Sequence, residues 1–380
     1  MNRDLVLFTG KHSKRLFYAI SIWILYALGS YFYAFDKRAV LHETAFLLSG
    51  FSLILVFQSF LKHVKFGPRV MLYACAAGLA GQLLINFIEI FQGIHLDGNF
   101  LEVVSLYDTN SLVKFIPAGT FDNPNNLAIF LNLAMLALLA LFKLKPERSD
   151  LWLLLLVLSS VVLFSCYSRF GMINFIFIVA LFPFFFNYPG YLRELILKTS
   201  SFRYIILGLV LSASVVLYNG MDYRSVEKTE GKSSDKSIAV RKNLILNGID
   251  FFRASNGVGI GAGNFESYHT YSKIKYNTKG IINSHNWIIQ ILSQYGILIT
   301  LLLFTWYVST GWHIFKISIS KTIQENTFRP FIVMVFIMMI IYPVISMMPS
   351  NFLQNPYNWL MLCLFAFVAD HGKQMAQNEF

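Results

Sequence analysis

Apolar residues run through this chain in long stretches, with polar residues confined to the breaks between them. A helix needs about 20 apolar residues to cross roughly 30 Å of hydrocarbon. Ten stretches meet or approach that length: about 16–35, 45–61, 70–91, 125–142, 151–168, 170–187, 203–219, 286–310, 331–349 and 356–370. The second and last are short. The eighth is long and reads as a surface helix followed by a span, so the pattern predicts about 10–12 transmembrane helices. Arg3, Lys11, Lys14 and Arg15 precede the first stretch in the manner of a signal peptide. That stretch is too long for a signal core and no A-x-A site follows, which predicts a retained anchor. No repeat of solenoid or propeller period is present.

Composition agrees with the pattern. The 380 residues are 56% hydrophobic and 13% charged, with 37 Phe. Soluble domains carry about 25% charged residues, and a single core stops growing near about 250–300 residues. A soluble globular enzyme, a disordered chain and a collagen-like fibre are thereby excluded. What remains is an all-α polytopic membrane protein, read as one integral membrane domain over 1–380. Cys75, Cys166 and Cys363 each lie in or beside an apolar run, with no CxxC and no metal-ligand spacing. The formal charge of +11 reads as topogenic charge facing anionic membrane lipids, not as a nucleic-acid surface.

Lys and Arg in short loops set orientation. With the N-terminus in the cytoplasm, the inside segments hold seventeen of them, in groups at 3–15, 62–69, 143–148, 193–203, 316–329 and 373. The short outside loops hold four: Lys37, Arg38, Lys114 and Arg169. Both termini are then cytoplasmic. The remaining ten lie in one extracytoplasmic loop, about 220–285, of 66 residues with net charge +4. Connections beyond about 15 residues are usually functional or disordered. The start of this loop, YRSVEKTEGKSSDKS, is polar. Its middle, IAVRKNLILNGIDFF, has apolar residues at helical spacing and reads as an amphipathic helix. A glycine-rich turn region, NGVGIGAGNFESYHTY, follows.

Four polar clusters carry the candidate chemistry. In GTFDNPNNLAIF, helix capping accounts for Asp122, Asn123 and Pro124. It does not account for Asn125 and Asn126, whose amides are costly at an apolar boundary unless hydrogen-bonded. In CYSRFGM, Arg169 interrupts 36 mostly apolar residues, either as a turn residue snorkelling to headgroups or as a cation lining an outer cavity. In AVRKNLI, Arg241 and Lys242 open the apolar part of the amphipathic helix, either as a solvated basic pair or as an anion contact. In NSHNWIIQILSQYGILITLLL, Ser284, His285 and Asn286 stand at the entrance of an apolar helix. His285 is either a surface helix-start residue or a neutral imidazole suited to general base work. The string Gly257, Gly259, Gly261, Gly263 lacks the strand and βαβ context of a dinucleotide site. It reads instead as a tight loop bringing backbone close to a ligand or helix. His269 and Glu266 lack a third ligand, so no metal site is expected. The charge-based topology puts Asn125, Arg169, Arg241 and His285 at one face of the membrane. Two guanidiniums there suit a diphosphate.

With these residues the chain resembles the O-antigen ligase and O-antigen polymerase superfamily (WaaL and Wzy type) of bacterial envelope polysaccharide enzymes. The matching pieces are GTFDNPNNLA, YSRFGM, the Arg241 helix followed by NGVGIGAGNF, and SHNWIIQILSQYGIL, in the family's order within 119–298. The resemblance implies a GT-C-type bundle in the bacterial cytoplasmic membrane with its active site on the outer side. It implies a metal-independent, inverting glycosyltransferase with no cofactor. The donor would be a glycan on undecaprenyl diphosphate and the acceptor a sugar hydroxyl of another lipid-linked glycan. Arg169 and Arg241 would hold the diphosphate, and His285 would activate or orient the hydroxyl. Asn125, Asn126, Lys242 and Asn286 would bind and position substrate. A chain-length regulator or a flippase would be a natural partner.

Polymerase and ligase share a donor and differ in acceptor, whose pocket is not legible in the sequence; repeat-unit polymerase is the expectation and ligase the alternative. A lipid-linked glycan flippase would also need cationic surfaces, but transporters place polar groups near the bilayer midplane, where only Gln82, Asn86 and Glu89 qualify. A cell-wall glycan polymerase of the shape-and-division type would need a carboxylate catalyst, and Asp250 or Glu266 would then outrank His285.

Overall fold

The computed structural model describes residues 10–63, 67–96, 115–121, 123–185, 234–272, 274–320, 328–347 and 353–377. Among them every regular element is helical: α1 Lys11–Ser30, α2 Lys37–His63, α3 Gly67–Gln92, α4 Pro124–Leu144, α5 Ser149–Ser165, α6 Arg169–Phe185, α7 Ser234–Ala254, α8 Asn264–Tyr271, α9 Trp287–Ser318, α10 Arg329–Ile345 and α11 Pro356–Gln377. A short 3₁₀ turn, Pro146–Arg148, joins α4 to α5. Nine of the ten expected stretches are helical, and the seventh, 203–219, lies outside the described residues. Among the described residues, five helical segments are long and apolar enough to cross a membrane: α2, α3, α4, Pro146–Ser165 and α9. The protein is an all-α polytopic membrane protein.

Several helices outrun the apolar stretches that announced them. Helix α2 begins at Lys37, eight residues before its apolar run, because Asp36 caps it. The Asp36 carboxylate accepts from the backbone N–H of Arg38 and Ala39 at 2.9 and 3.1 Å. These bonds, Ala39 first, hold its pKa below the ordinary carboxylate value. Helix α9 contains the break expected of a surface helix joined to a span. Gly296 has φ 71° and ψ −171°, a region open essentially to glycine alone. The 22 residues after it, Ile297–Ser318, would extend about 33 Å, enough to cross.

The chain divides into two compact units. The first comprises Met1–Gly67, Ser233–Ile323 and Pro349–Phe380. Here α1 runs against α2, α9 and α11. At its start, Asp370 of α11 accepts from the backbone N–H of His12 and Ser13 at 2.8 and 2.7 Å, a carboxylate on a helix N-terminus. The His12 Nδ1 lies 3.1 Å from Thr310 Oγ1, the Trp306 indole N–H donates to the His12 carbonyl, and Gln58 donates to Ser13 Oγ. The middle is aromatic. Trp23 meets Tyr295 edge-on at 5.4 Å and Trp359 at 6.1 Å, and Gly50 leaves the room on α2 that the Trp359 ring fills. At the far end of α1, Ser30 Oγ accepts from the backbone N–H of Ala262.

The second unit comprises Pro68–Lys232 and Gln324–Met348. Its centre is α4, buried on nearly every side and packed against α5, α6 and α10. A helix apolar all round is an interior helix, and α4 and α10 both have that pattern.

Candidate functional site

In the second unit the starts of α4 and α6 are sewn together. Asn123 caps α4, its Oδ1 accepting from the backbone N–H of Asn126 at 3.0 Å, with Pro124 at the first helical position. Ser168 caps α6, its Oγ accepting from the backbone N–H of Gly171 at 3.3 Å. The same hydroxyl donates to Asn125 Oδ1 at 2.9 Å, so one cap holds the other helix's candidate amide. Two turns further along α4, Asn132 Nδ2 donates to the carbonyls of Ala128 and Gly171 at 2.8 and 3.1 Å. A Cβ on Gly171 would stand 2.9 Å from Ala128 Cβ, so the glycine sets the helix spacing. Asn126 is buried. Arg169, the first residue of α6, is exposed. Two helix N-termini, each the positive end of a macrodipole, thus meet at the Asn125–Ser168 bond, with Arg169 next in the chain. Asp122 lies outside the described residues.

In the first unit α7 presents the stripe Val240, Leu244, Asn247 and Phe251 inward. Val240, Leu244 and Phe251 form a small core with Ile260 and Phe265, closed by Tyr268, Ile274 and Ile289. Arg241, next to Val240, is half-buried and Lys242 is exposed. The returning segment lies along α7 because two amides on that helix bind its backbone. Asn243 Nδ2 donates to the Asn277 carbonyl at 2.8 Å. Asn247 grips Tyr276 twice, donating to its carbonyl at 2.8 Å and accepting from its N–H at 3.1 Å. Thr278 Oγ1 lies 3.2 Å from His269 Nε2, which explains that buried histidine without a metal.

The segment ends at His285, whose backbone is left-handed at φ 45°, a conformation that costs a side-chain-bearing residue about 1–3 kcal/mol. The next residue, Asn286, caps α9, its Oδ1 accepting from the Ile289 N–H at 3.1 Å. The His285 Nδ1 is buried and has no hydrogen-bond partner among the described residues. Burial lowers the imidazole's pKa from its ordinary value, and the positive charge of Arg241 lowers it further. Arg241 and His285 therefore share one electrostatic environment, and the imidazole is held neutral with a lone pair available.

The glycine string docks on the α9 break. Ile260 and Gly261 donate backbone N–H to the carbonyls of Ser293 and Gln294 at 2.9 and 3.0 Å, and Ile297 donates to Gly257 at 3.0 Å. Backbone approaches helix, one of the two roles the spacing suggested. Among the described residues no three His, Cys, Asp or Glu side chains gather as a metal-ligand set.

The structure thus groups Asn125, Asn126 and Arg169 in one unit, and Arg241, Lys242, His285 and Asn286 in the other. Sequence reasoning missed Ser168, Asn243 and Asn247. Asn247 left a signal, a polar residue on the apolar stripe of an amphipathic helix. Ser168 left only its place beside Arg169.

Comparison with known proteins adds two findings. Residues 154–304 match the family described as O-antigen ligase. That interval includes Arg169, Arg241, Lys242, His285 and Asn286. Over 360 residues the chain is 24% identical to the teichuronic acid biosynthesis protein TuaE of Bacillus subtilis (strain 168), covering 93% of this chain and 71% of that protein. The chain is similar to the O-antigen ligase and polymerase superfamily, as its motifs suggested.

Proposed function

We propose that the protein is a membrane glycosyltransferase that extends an envelope polysaccharide, moving a glycan from undecaprenyl diphosphate to a sugar hydroxyl of another lipid-linked glycan. The observation that carries this reading is the half-buried His285 imidazole, enclosed and unpartnered at Nδ1 and kept neutral beside Arg241. Such a group takes a proton from an acceptor hydroxyl. In the proposed step that hydroxyl oxygen forms a bond to the donor's anomeric carbon as the carbon–oxygen bond to diphosphate breaks. The electron pair leaves with the diphosphate, and attack opposite the leaving group inverts the centre. Arg169 and Arg241 balance the charge as it develops. Asn125 and Asn126 order the α4 start beside Arg169, Lys242 adds positive charge beside Arg241, and Asn286 orients His285 through its cap.

The ends of the first unit support an outward-facing site. Lys11, Lys14, Arg15, Lys62, Lys316 and Lys373 belong to the end where α1 starts and α2, α9 and α11 finish. The glycine loop, α8 and His285 belong to the opposite end. Lys and Arg in short loops concentrate on the cytoplasmic side, which supports reading the His285 end as extracytoplasmic. A ligase reading, with the same donor and a different acceptor, draws on the family description of the 154–304 match.

Deletion of the gene followed by sizing of surface glycan tests the reading. Single-repeat product supports a polymerase, and long glycan retained on its carrier lipid supports a ligase. Arg169→Ala, Arg241→Ala and His285→Ala in the full chain are each expected to lower transfer by about 10²-fold or more while membrane insertion persists. Normal product from all three overturns the proposal.

A further inference from the structure

The polar residues of α3 lie on one face, Gln82, Asn86 and Glu89 at spacings of four and three, and the donor-site reading does not use them. Glu89 is the most constrained. Its side chain is fully buried. One carboxylate oxygen, Oε2, accepts from the backbone N–H of both Ala118 and Gly119, at 2.9 and 2.7 Å. The other, Oε1, lies 3.0 Å from Nδ1 of His95, itself buried. A carboxylate at this depth is costly unless fully hydrogen-bonded, and here three donors meet it. The clamped segment lies flat on the α3 face. Thr120 donates its backbone N–H to Gln82 Oε1 and its hydroxyl bonds Gln82 Nε2. A Cβ on Gly119, where φ is +64°, would fall 2.9 Å from Asn86 Oδ1.

Four residues beyond the clamp stands Asn123, the cap of α4. From there the contacts run without a gap inside one unit: Asn125 to Ser168, and Ser168 to the first turn of α6, which begins at Arg169. We infer that Glu89 is a positioning residue: by clamping Ala118 and Gly119 it fixes the start of α4, and through Asn125 and Ser168 the place of Arg169. The inference rests on the proposal that Arg169 holds the diphosphate of the donor. Displacement of a binding group by about 1 Å from a remote substitution is enough for losses of about 10²-fold.

The atom assignment gives a discriminating series. In Glu89→Gln the amide oxygen can take the place of Oε2 and keep both backbone bonds, while the amide N–H₂ faces His95 Nδ1, which accepts once the imidazole takes its other neutral tautomer. Glu89→Asp keeps the charge but withdraws it by one methylene from both N–H groups. The probe is undecaprenyl diphosphate, the leaving group of the proposed reaction, bound to the full-length protein in nanodiscs. Expected is near-unchanged affinity for Glu89→Gln, within about two-fold, and weakening of about 10–100-fold for Glu89→Asp and Glu89→Ala. Added to Arg169→Ala, Glu89→Asp is expected to cost little more, since residues acting as one unit are non-additive.

Wild-type affinity in Glu89→Asp overturns the inference. So does a Glu89→Gln as weak as Glu89→Ala, which would make the charge itself the functional feature. Full additivity with Arg169→Ala overturns it too, since Glu89 would then act independently of that residue. If Glu89→Ala fails to fold, the Asp and Gln variants decide between these outcomes. Should Arg169→Ala alone bind undecaprenyl diphosphate normally, the donor-site reading fails, a result separate from weak Arg169→Ala binding beside wild-type Glu89→Asp.

Discussion

Replacing Gly296 by alanine tests how the outer end of the first unit is built. Gly296 breaks α9 at φ 71° and ψ −171°. A residue with a Cβ in that region costs about 1–3 kcal/mol from the backbone alone. The Cβ would also stand 2.5 Å from the Val258 carbonyl carbon and closer still to the carbonyl oxygens of Gly257 and Val258. Real Cβ atoms do not approach backbone so closely, so the glycine loop must lift. Lifting it strains three backbone hydrogen bonds, from Ile260 to Ser293, Gly261 to Gln294 and Ile297 to Gly257, each worth about 1 kcal/mol net. Conformation and lost bonds together make a destabilisation of about 4–6 kcal/mol. Gly280→Ala is the control. There φ is +83° but nothing lies within 4 Å of the added carbon, so only the backbone cost of about 1–2 kcal/mol applies. Thermal unfolding in detergent, with limited proteolysis of the 255–300 region, reads both variants. Equal midpoints and equal cleavage for Gly296→Ala and Gly280→Ala would refute the argument, because the collision with the loop would then carry no energy.

Four further outcomes follow from the same geometry. His285→Ala is expected to lower transfer by about 10²–10⁴-fold with an unchanged unfolding midpoint. Because burial, then Arg241, depresses the imidazole's pKa, the wild-type base stays neutral below its ordinary value of about 6.5. The acid limb of the pH profile therefore lies below that pH, and Arg241→Gln, which removes a charge opposing protonation, moves residual activity's acid limb upward. A downward shift contradicts the assignment. Asn247→Ala removes both bonds to the Tyr276 backbone and is expected to cost about 1–3 kcal/mol, with faster proteolysis of 272–286. Gly81→Ala in α3, where nothing lies within 4 Å of the new carbon, is expected to stabilise by about 0.5–1 kcal/mol, read as a raised unfolding midpoint.

What could be read before the structure follows from the range of the interactions involved. Spans are legible because burial in hydrocarbon acts on every residue of a run, and nine helices occupy their expected stretches. Helix ends are less so. The start of α2 depends on one carboxylate at Asp36, not on the hydropathy of Lys37 and Arg38. The α9 break was legible in length but not in place, because Gly296 breaks the helix only with the glycine loop docked against it. The candidate site divides the same way. Arg169, Arg241 and His285 stand out as polar residues in apolar surroundings. Residues that place them, such as Asn247 and Glu89, stand out too, but what they hold does not, because their partners are backbone groups 29 or 30 positions away, Tyr276 for Asn247 and Ala118 and Gly119 for Glu89. A side chain that binds backbone leaves no complementary residue type to find in the sequence. In a chain this apolar such bonds are nonetheless obligatory, since a buried amide or carboxylate is tolerated only when partnered. Each polar residue deep in an apolar helix therefore marks a backbone segment it must hold, and in this protein two of those segments run directly into the proposed donor-binding and base residues.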